Sequence, residues 1–346
     1  MLKLGRSQDE KRERPVAPNR LTPILFVLAF GVVSMLADMV YEGARAIIGP
    51  YLATFGASAA TVGFVTGFGE AVALIFRLAT GRLSDRTRRY WTLSIAGYAI
   101  TVIAVPLIGF SQAFWQAATL IVAERFGKAV RTPARDTMLA QASVDLGRGT
   151  GFAIHEALDQ VGAVIGPLIV AGMIAWSGYR AGFAVLAIPG ALTLLMLAWL
   201  RRAVPQPSAY ESAHRGGSSG ESAGLAALPR RFWIYAAFTA ISMLGFATFA
   251  VLAYHQEVGR VMAPALIPVT FAAAMAADAL AALGSGRLYD RIGLRGLIVA
   301  LPLTAIVPPL AFSDTPALVW IGAIVWGAVM GILESTLRAS VKVISF

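Results

Sequence analysis

"GRLSDRTRRY" (Gly81–Tyr90) and "GRLYDRIGLR" (Gly286–Arg295) are near-copies of one charged stretch, each set between long apolar runs. Gly81, Arg82, Leu83, Asp85 and Arg86 fall on Gly286, Arg287, Leu288, Asp290 and Arg291. A looser match follows: "RTPARD" (Arg131–Asp136) falls near "ESTLRA" (Glu334–Ala339), at the end of the fourth apolar run of each half. Repetition over such a length, each copy following the second run of its half, implies a chain built twice from one unit. The expected product is two pseudosymmetric helical bundles of parallel topology facing each other.

The chain has 346 residues, 57% hydrophobic and 14% charged, with mean hydropathy +0.69. That is an all-α integral membrane composition. Runs of about 20 apolar residues, enough to cross about 30 Å of hydrocarbon, occur ten times. They lie near 21–48, 58–79, 91–111, 113–132, 151–176, 179–200, 231–254, 262–283, 295–312 and 316–338. The Ser-, Gly- and Pro-rich stretch 201–230 reads as a linker. The expected organisation is a tail (1–20), a six-helix bundle (21–200), the linker (201–230) and a four-helix bundle (231–346).

The net charge of +10 is distributed by topology. Of 29 Lys and Arg, 25 fall in the tail, the two motif loops, the 124–150 stretch, the linker and the C-terminal end. Such alternation puts tail, linker and both termini in the cytoplasm of a multi-pass inner (plasma) membrane protein, and leaves no basic surface for nucleic acid. The tail precedes a full-length span and lacks the short apolar core and cleavage site of a signal peptide. There are no cysteines, which excludes disulfides, thiolate metal sites and a cysteine nucleophile. No G-x-x-x-x-G-K loop occurs, and His155, His214 and His255 lack metal-ligand spacing, so neither enzyme, cofactor nor metal is expected.

In these features the chain resembles the major facilitator superfamily over nearly its whole length. The strongest match is that family's signature between its second and third helices, G-x-L-x-D-R-x-x-R-R, present as Gly81, Leu83, Asp85, Arg86 and Arg89. "GAVIGP" (Gly162–Pro167) resembles the G-x-x-x-G-P helix-packing signature of its proton-coupled exporters, carried by Gly162, Gly166 and Pro167. "ERFGKAVRTPARDTMLA" is similar to a poorly characterised bacterial branch. The resemblance implies alternating access, with the motif (Gly81, Asp85, Arg86, Arg89; Gly286, Asp290, Arg291) as a state-dependent latch. Two departures stand out. The family's fourth-helix arginine is followed by glycine four residues on, whereas Arg125 is followed by Gly127 at two and Ala129 at four. The family usually has twelve helices, and the last two, including the latch's partner, are expected to be missing here.

Ionisable groups in hydrocarbon ask for a partner or a job. Asp38, Glu42 and Arg45, at i, i+4 and i+7, form one helical stripe, either a proton- or cation-sensitive site or a self-neutralising cluster. Glu70, near the middle of the second span, has Arg77 two turns on, and reads as a proton carrier or a structural bond. By depth, Arg125 pairs with Asp159 and Lys128 with Glu156, as fixed bridges or as a bond broken by protonation. Arg131, Arg135, Asp278, Glu334 and Arg338 are candidate cytoplasmic gate residues. Asp85 is placed to cap a helix N-terminus. Trp115, Trp176, Trp233 and Trp320 are expected at the membrane interface.

The expectation is a monomeric secondary transporter in the lipid bilayer, exporting a small amphipathic molecule against protons. Uptake of a polar metabolite by proton symport, or an inactive truncated fragment or scaffold, are the alternatives. The single Asn favours export over a polar uptake site.

Overall fold

The computed structural model describes residues 19–144, 146–212, 233, 246–292 and 297–344, and among them no strand occurs. α1 (Pro23–Arg45) opens on Pro23, whose fixed φ suits a first turn, and α2 (Ile48–Ala53) continues it. α3 (Ala59–Thr87) starts at Ser58, whose hydroxyl accepts the Thr61 N–H at 3.2 Å. α4 (Tyr90–Ile108), α5 (Phe114–Ala142) and α6 (Arg148–Ala184) follow. α6 breaks at Ser177 and Gly178; Gly178, at φ 75° and ψ −171°, occupies a region open essentially to glycine alone. The chain then runs through α7 (Ala187–Ala203), so helices fall on each of the six apolar runs of the first half. A short α8 (Ser208–Ser212) opens the linker.

In the second half come α9 (Phe249–Val258), a 3₁₀ turn (Pro264–Leu266), α10 (Ile267–Ile292), α11 (Leu297–Ala311) and α12 (Pro316–Ile344). The spans expected at 262–283, 295–312 and 316–338 are α10, α11 and α12. Most of the tail (1–18), the linker from 213 and residues 231, 232 and 234–245 of the seventh span lie outside the described residues. Six described segments are long and apolar enough to cross a membrane, and one of them, Gly149–Ala203, is long enough for two passes. α5 falls outside that set because it carries Glu124, Arg125, Lys128, Arg131, Arg135 and Asp136 along its length.

Two expectations need correction. First, α5 runs to Ala142, well past the end expected at 132, so Arg135 lies on the same helix as Arg125, Lys128 and Arg131. Second, the motif is helical. Gly81–Thr87 complete α3, and the turn is only Arg88, in the left-handed conformation at φ 52°, and Arg89. Asp85 therefore sits in the last turn of α3 and caps no helix start; the residue at the N-cap of α4 is Arg89.

α1 packs on α6, α5 takes α3 on one side and α4 on the other, and α7 closes against α1 and α4. In the second half α12 packs on both α10 and α11. The halves meet where α6 touches α10 and where α9 touches α2 and α3. Small residues set the seams. A Cβ at Gly162 or Gly166 would run into the backbone of Met35 or Met39, so α1 and α6 touch backbone to backbone. Gly49 lies equally close to Ala250, across the bundles.

Residues at the linker end tie the first bundle shut. The Trp91 indole donates to the Val204 carbonyl at 3.0 Å, and the Tyr210 hydroxyl to the Leu21 carbonyl at 2.7 Å. Burial pushes the Tyr210 hydroxyl up to about 12, so it remains a donor at neutral pH. Trp115, Trp176 and Trp233 are exposed, as interface anchors would be. Trp320, near the start of α12, is partly buried against the core.

Candidate functional site

The charged residues of the first bundle gather into two clusters. One opens on the seam between the bundles, in a small cavity lined by Arg45, Ile48, Thr66, Glu70 and Arg125 from one half and Thr248 and Ala250 from the other. Arg125, on α5, is almost wholly buried and lies 3.2 Å from Glu70 on α3 and 3.4 Å from Glu124. Arg45 at the end of α1 lies 3.5 Å from Glu42 and 3.9 Å from Glu70.

Tyr41 organises this group. Its hydroxyl accepts from Arg125, and its ring faces the Lys128 ammonium at 3.8 Å and the Arg125 guanidinium at 4.7 Å. Gathering three cations and three acids around one ring removes the cost of lone charges in hydrocarbon. Glu70 is the accessible member, its side chain 46% exposed against 3% for Arg125. It is thus a carboxylate reachable from the cavity yet held to a buried arginine. Such a group can exchange a proton or bind a cation by letting the arginine go.

The second cluster lies inside the first bundle. Arg131 of α5, 1% exposed, comes within 4.0 Å of Asp38 and stacks over the Tyr98 ring at 4.4 Å. Tyr98 and Ser34 share a hydrogen bond of 3.2 Å, Ser34 contacts His155 Nε2 at 3.2 Å, and His155 Nε2 lies 3.4 Å from Asp159.

Polar contacts also join the halves. Gln160 donates to Asp278 at 2.9 Å, Tyr179 donates to Glu257 at 2.8 Å, and the Thr66 and Thr248 hydroxyls lie 3.2 Å apart. Asp278 is therefore an inter-bundle contact on α10.

The structure brings Asp38, Glu42, Arg45, Glu70, Arg125 and Asp159 into these clusters but changes their partners. Glu70 pairs with Arg125 and Arg45, while Arg77, two turns on along the same helix, is exposed. The expected Arg125–Asp159 bridge is replaced by Arg125–Glu70, and Asp159 meets His155. Lys128 sits on Tyr41 rather than bridging to Glu156. The cause is depth. With α5 ending at Ala142 and α6 starting at Arg148, it is Arg131, not Arg125, that lies level with Asp159, each about 16 Å from its helix end.

Arg135 bonds its neighbour Asp136 at 2.9 Å. Glu334 is partly buried on α12. Gly286, Asp290 and Arg291 lie on α10 and Arg338 on α12, with their side chains outside the described residues. In the first motif copy Arg82, Asp85, Arg86 and Arg89 are all exposed.

Sequence reasoning passed over Tyr41, Tyr98, Ser34, Glu124, Gln160, Tyr179 and Glu257, and set His155 aside. The signal available was helical phase: Ser34, Asp38, Tyr41 and Glu42 recur at intervals of three and four, the stripe of one helix face.

Similarity to known proteins follows the same architecture. Residues 29–343 match the family model of the Major Facilitator Superfamily. An uncharacterized protein of Mycobacterium tuberculosis (strain H37Rv), Rv2265, is 54% identical over 318 residues, covering 91% of this chain and 78% of the relative. The multidrug resistance protein MdtG of Enterobacter lignolyticus is 28% identical over 166 residues, 47% of this chain and 40% of its own. Among solved structures, a bacterial homolog of the human lysosomal transporter Spinster superposes with a TM-score of 0.69 at 19% identity, over 95% of this chain and 79% of the other. The nucleoside transporter NupG (D323A mutant) gives 0.70 at 16% identity, over 92% and 82%. Helical bundles meeting around a shared polar cavity, matched to one family over nearly the whole chain, lead to a single assignment: this protein belongs to the Major Facilitator Superfamily and is a membrane transporter of that fold.

Proposed function

We propose that the chain is a proton-coupled exporter of a small amphipathic molecule, with Glu70 as the carboxylate that exchanges between Arg125 and its cargo or proton. The observation that carries this reading is the Glu70–Arg125 pair itself. It joins a half-exposed acid to a buried base at a cavity whose walls come from both bundles. Protonating Glu70 removes its charge and frees Arg125, so loading is linked to rearrangement at the seam. The direction of transport draws on the partial likeness to MdtG, named for multidrug resistance. In the orientation set by the basic segments, the tail and linker face the cytoplasm, and the Tyr179–Glu257 end faces outward. The motif pair would then act as the cytoplasmic latch, and the transporter would work as a monomer.

The test is expression in an efflux-deficient bacterium, with susceptibility scored over a panel of cationic, neutral and anionic dyes and antibiotics. Dye-loaded everted vesicles then report proton release on addition of a transported compound. Export predicts tolerance to at least one compound class, lost in Glu70→Gln and dissipated by an uncoupler. Uncoupler-insensitive efflux, or tolerance unchanged in Glu70→Gln, overturns it. Reporter fusions at the tail and at the linker check the orientation.

A further inference from the structure

We infer that the first bundle contains a proton path of its own, separate from the cavity at the seam, running from Asp159 through His155, Ser34 and Tyr98 to Asp38. The inference rests on proton coupling as proposed above and names residues to which that reading gives no role.

Its shape is that of a conduit. The two ends are carboxylates with partly exposed side chains, Asp159 at 15% and Asp38 at 19%. Everything between them is shut from solvent: His155 3%, Ser34 1%, Tyr98 0% and Arg131 1% exposed. Three contacts of 3.2 to 3.4 Å join Asp159, His155, Ser34 and Tyr98 across α6, α1 and α4, and Arg131 of α5 stacks over the Tyr98 ring and lies 4.0 Å from Asp38. The path also has length along the bundle axis. α1 and α6 run parallel, with Gly31 against Leu158, Met35 against Gly162 and Met39 against Gly166. Asp159 is therefore level with the start of the 31–35 segment and Asp38 with the following turns, roughly 9 Å further on at 1.5 Å per residue.

The unpartnered atoms along the path are of both kinds. Arg131 Nε and Nη1 are donors without acceptors, Asp159 Oδ1 is an acceptor without a donor, and His155 Nδ1 has no partner. Buried groups of complementary type in one region are what water bridges satisfy. A water held by Arg131 between the Tyr98 hydroxyl and Asp38 would close the one gap in the chain.

The step balances as a relay. A proton leaves the Asp159 carboxylic acid for His155 Nε2. Nε2 passes a proton to Ser34 Oγ, Ser34 gives its own to the Tyr98 hydroxyl, and Tyr98 gives its own through the water to the Asp38 carboxylate. Each intermediate gains and loses one proton; the net result is Asp159 ionised and Asp38 neutral. Charges facing the path are Arg131, Arg135 and Lys128 from α5, Glu42 from α1 beside Asp38, and Glu156 from α6 beside Asp159. Asp278 of α10, in the other bundle, is engaged by Gln160. Arg131 next to Asp38 makes proton arrival there breakable. With the carboxylate neutralised, Arg131 loses its ion pair and the α1–α5 contact loosens, beside the Glu42–Arg45 end of the cavity cluster.

The experiment uses the purified full-length chain in lipid vesicles, with no substrate, after a pH jump. Infrared difference spectra follow the carboxylic-acid bands, assigned by their disappearance in Asp38→Asn and Asp159→Asn. Both bands are expected to respond to the jump, with equilibration slowed about tenfold or more in Ser34→Ala and in Tyr98→Phe. Each of these variants removes a hydroxyl and little volume, and near-native melting temperatures confirm the fold. His155→Gln is expected to slow it likewise. Wild-type rates in both hydroxyl variants, or no response of either carboxyl band, overturn the relay. Loss of dye export with an intact relay would instead count against the transport reading, so the two failures are distinguishable.

Discussion

At the scale of the residue, the sharpest arrangement is the ring of Tyr41 among Arg45, Arg125 and Lys128. Ring and hydroxyl contribute separately: the ring's face attracts the cations, and the hydroxyl accepts from Arg125. Tyr41→Phe keeps the first and loses the second, whereas Tyr41→Leu loses both. Leu is expected to destabilise the protein by about 1–2 kcal/mol more than Phe, read from thermal unfolding in detergent. Gly81 gives a test of a different kind. It sits in helical α3 with no atom within 4 Å of where a Cβ would be. Gly81→Ala is therefore expected to leave stability unchanged or raise it by up to about 1 kcal/mol. A melting temperature held or raised together with lost transport would show that the glycine serves a close approach in another conformation. A lower melting temperature would contradict the open environment described for it.

At the scale of the element, α6 shows how local chemistry serves global shape. The helix that carries His155, Asp159, Gln160, Gly162 and Gly166 ends its first pass where Gly178 adopts a conformation closed to other residues. Gly178→Ala should cost about 1–3 kcal/mol of stability, measured by the same unfolding assay, because the strain falls on the backbone. Gly162→Ala should also destabilise, for a separate reason: its methyl would meet the Met35 backbone and push α1 from α6. That shift would carry Ser34 away from His155, so Gly162→Ala is expected to slow the infrared response as well. The break in α6 was legible in the sequence as the gap between two apolar runs. The seam was legible as the small-residue spacing of "GAVIGP". The identity of the helix that fills that seam was not, because spacing gives a face and no address.

At the scale of the whole molecule, the two bundles meet at a closed end formed by Gly49 on Ala250, Thr66 on Thr248 and Tyr179 on Glu257. The alternating access implied by the resemblance would require this end to part. The chain has no cysteine, so an introduced pair reports without background. Thr66→Cys with Thr248→Cys, whose hydroxyls lie 3.2 Å apart, is expected to form a disulfide readily. Transport should stop on oxidation and return with reductant. Free thiols that resist oxidation, or full transport in the oxidised pair, would refute a moving contact here. The exposed apolar residues of α3 and α10, such as Leu74, Ile75, Leu78, Leu280 and Leu283, complete the picture as surface compatible with hydrocarbon.

The sequence by itself determined the apolar helices and the family, because hydrophobic length and motifs are one-dimensional signals. Only the tertiary structure decided which charges meet. An ion pair depends on the rotational phase and depth of two helices at once, and each residue of error in a helix end turns a side chain by about 100° and shifts it by about 1.5 Å. α5 extends to Ala142 and α6 starts at Arg148, which puts Arg131 rather than Arg125 level with Asp159, and Arg125 pairs with Glu70 of α3 instead. The buried chain through His155 depends on four helices in register, a condition that only their packing sets.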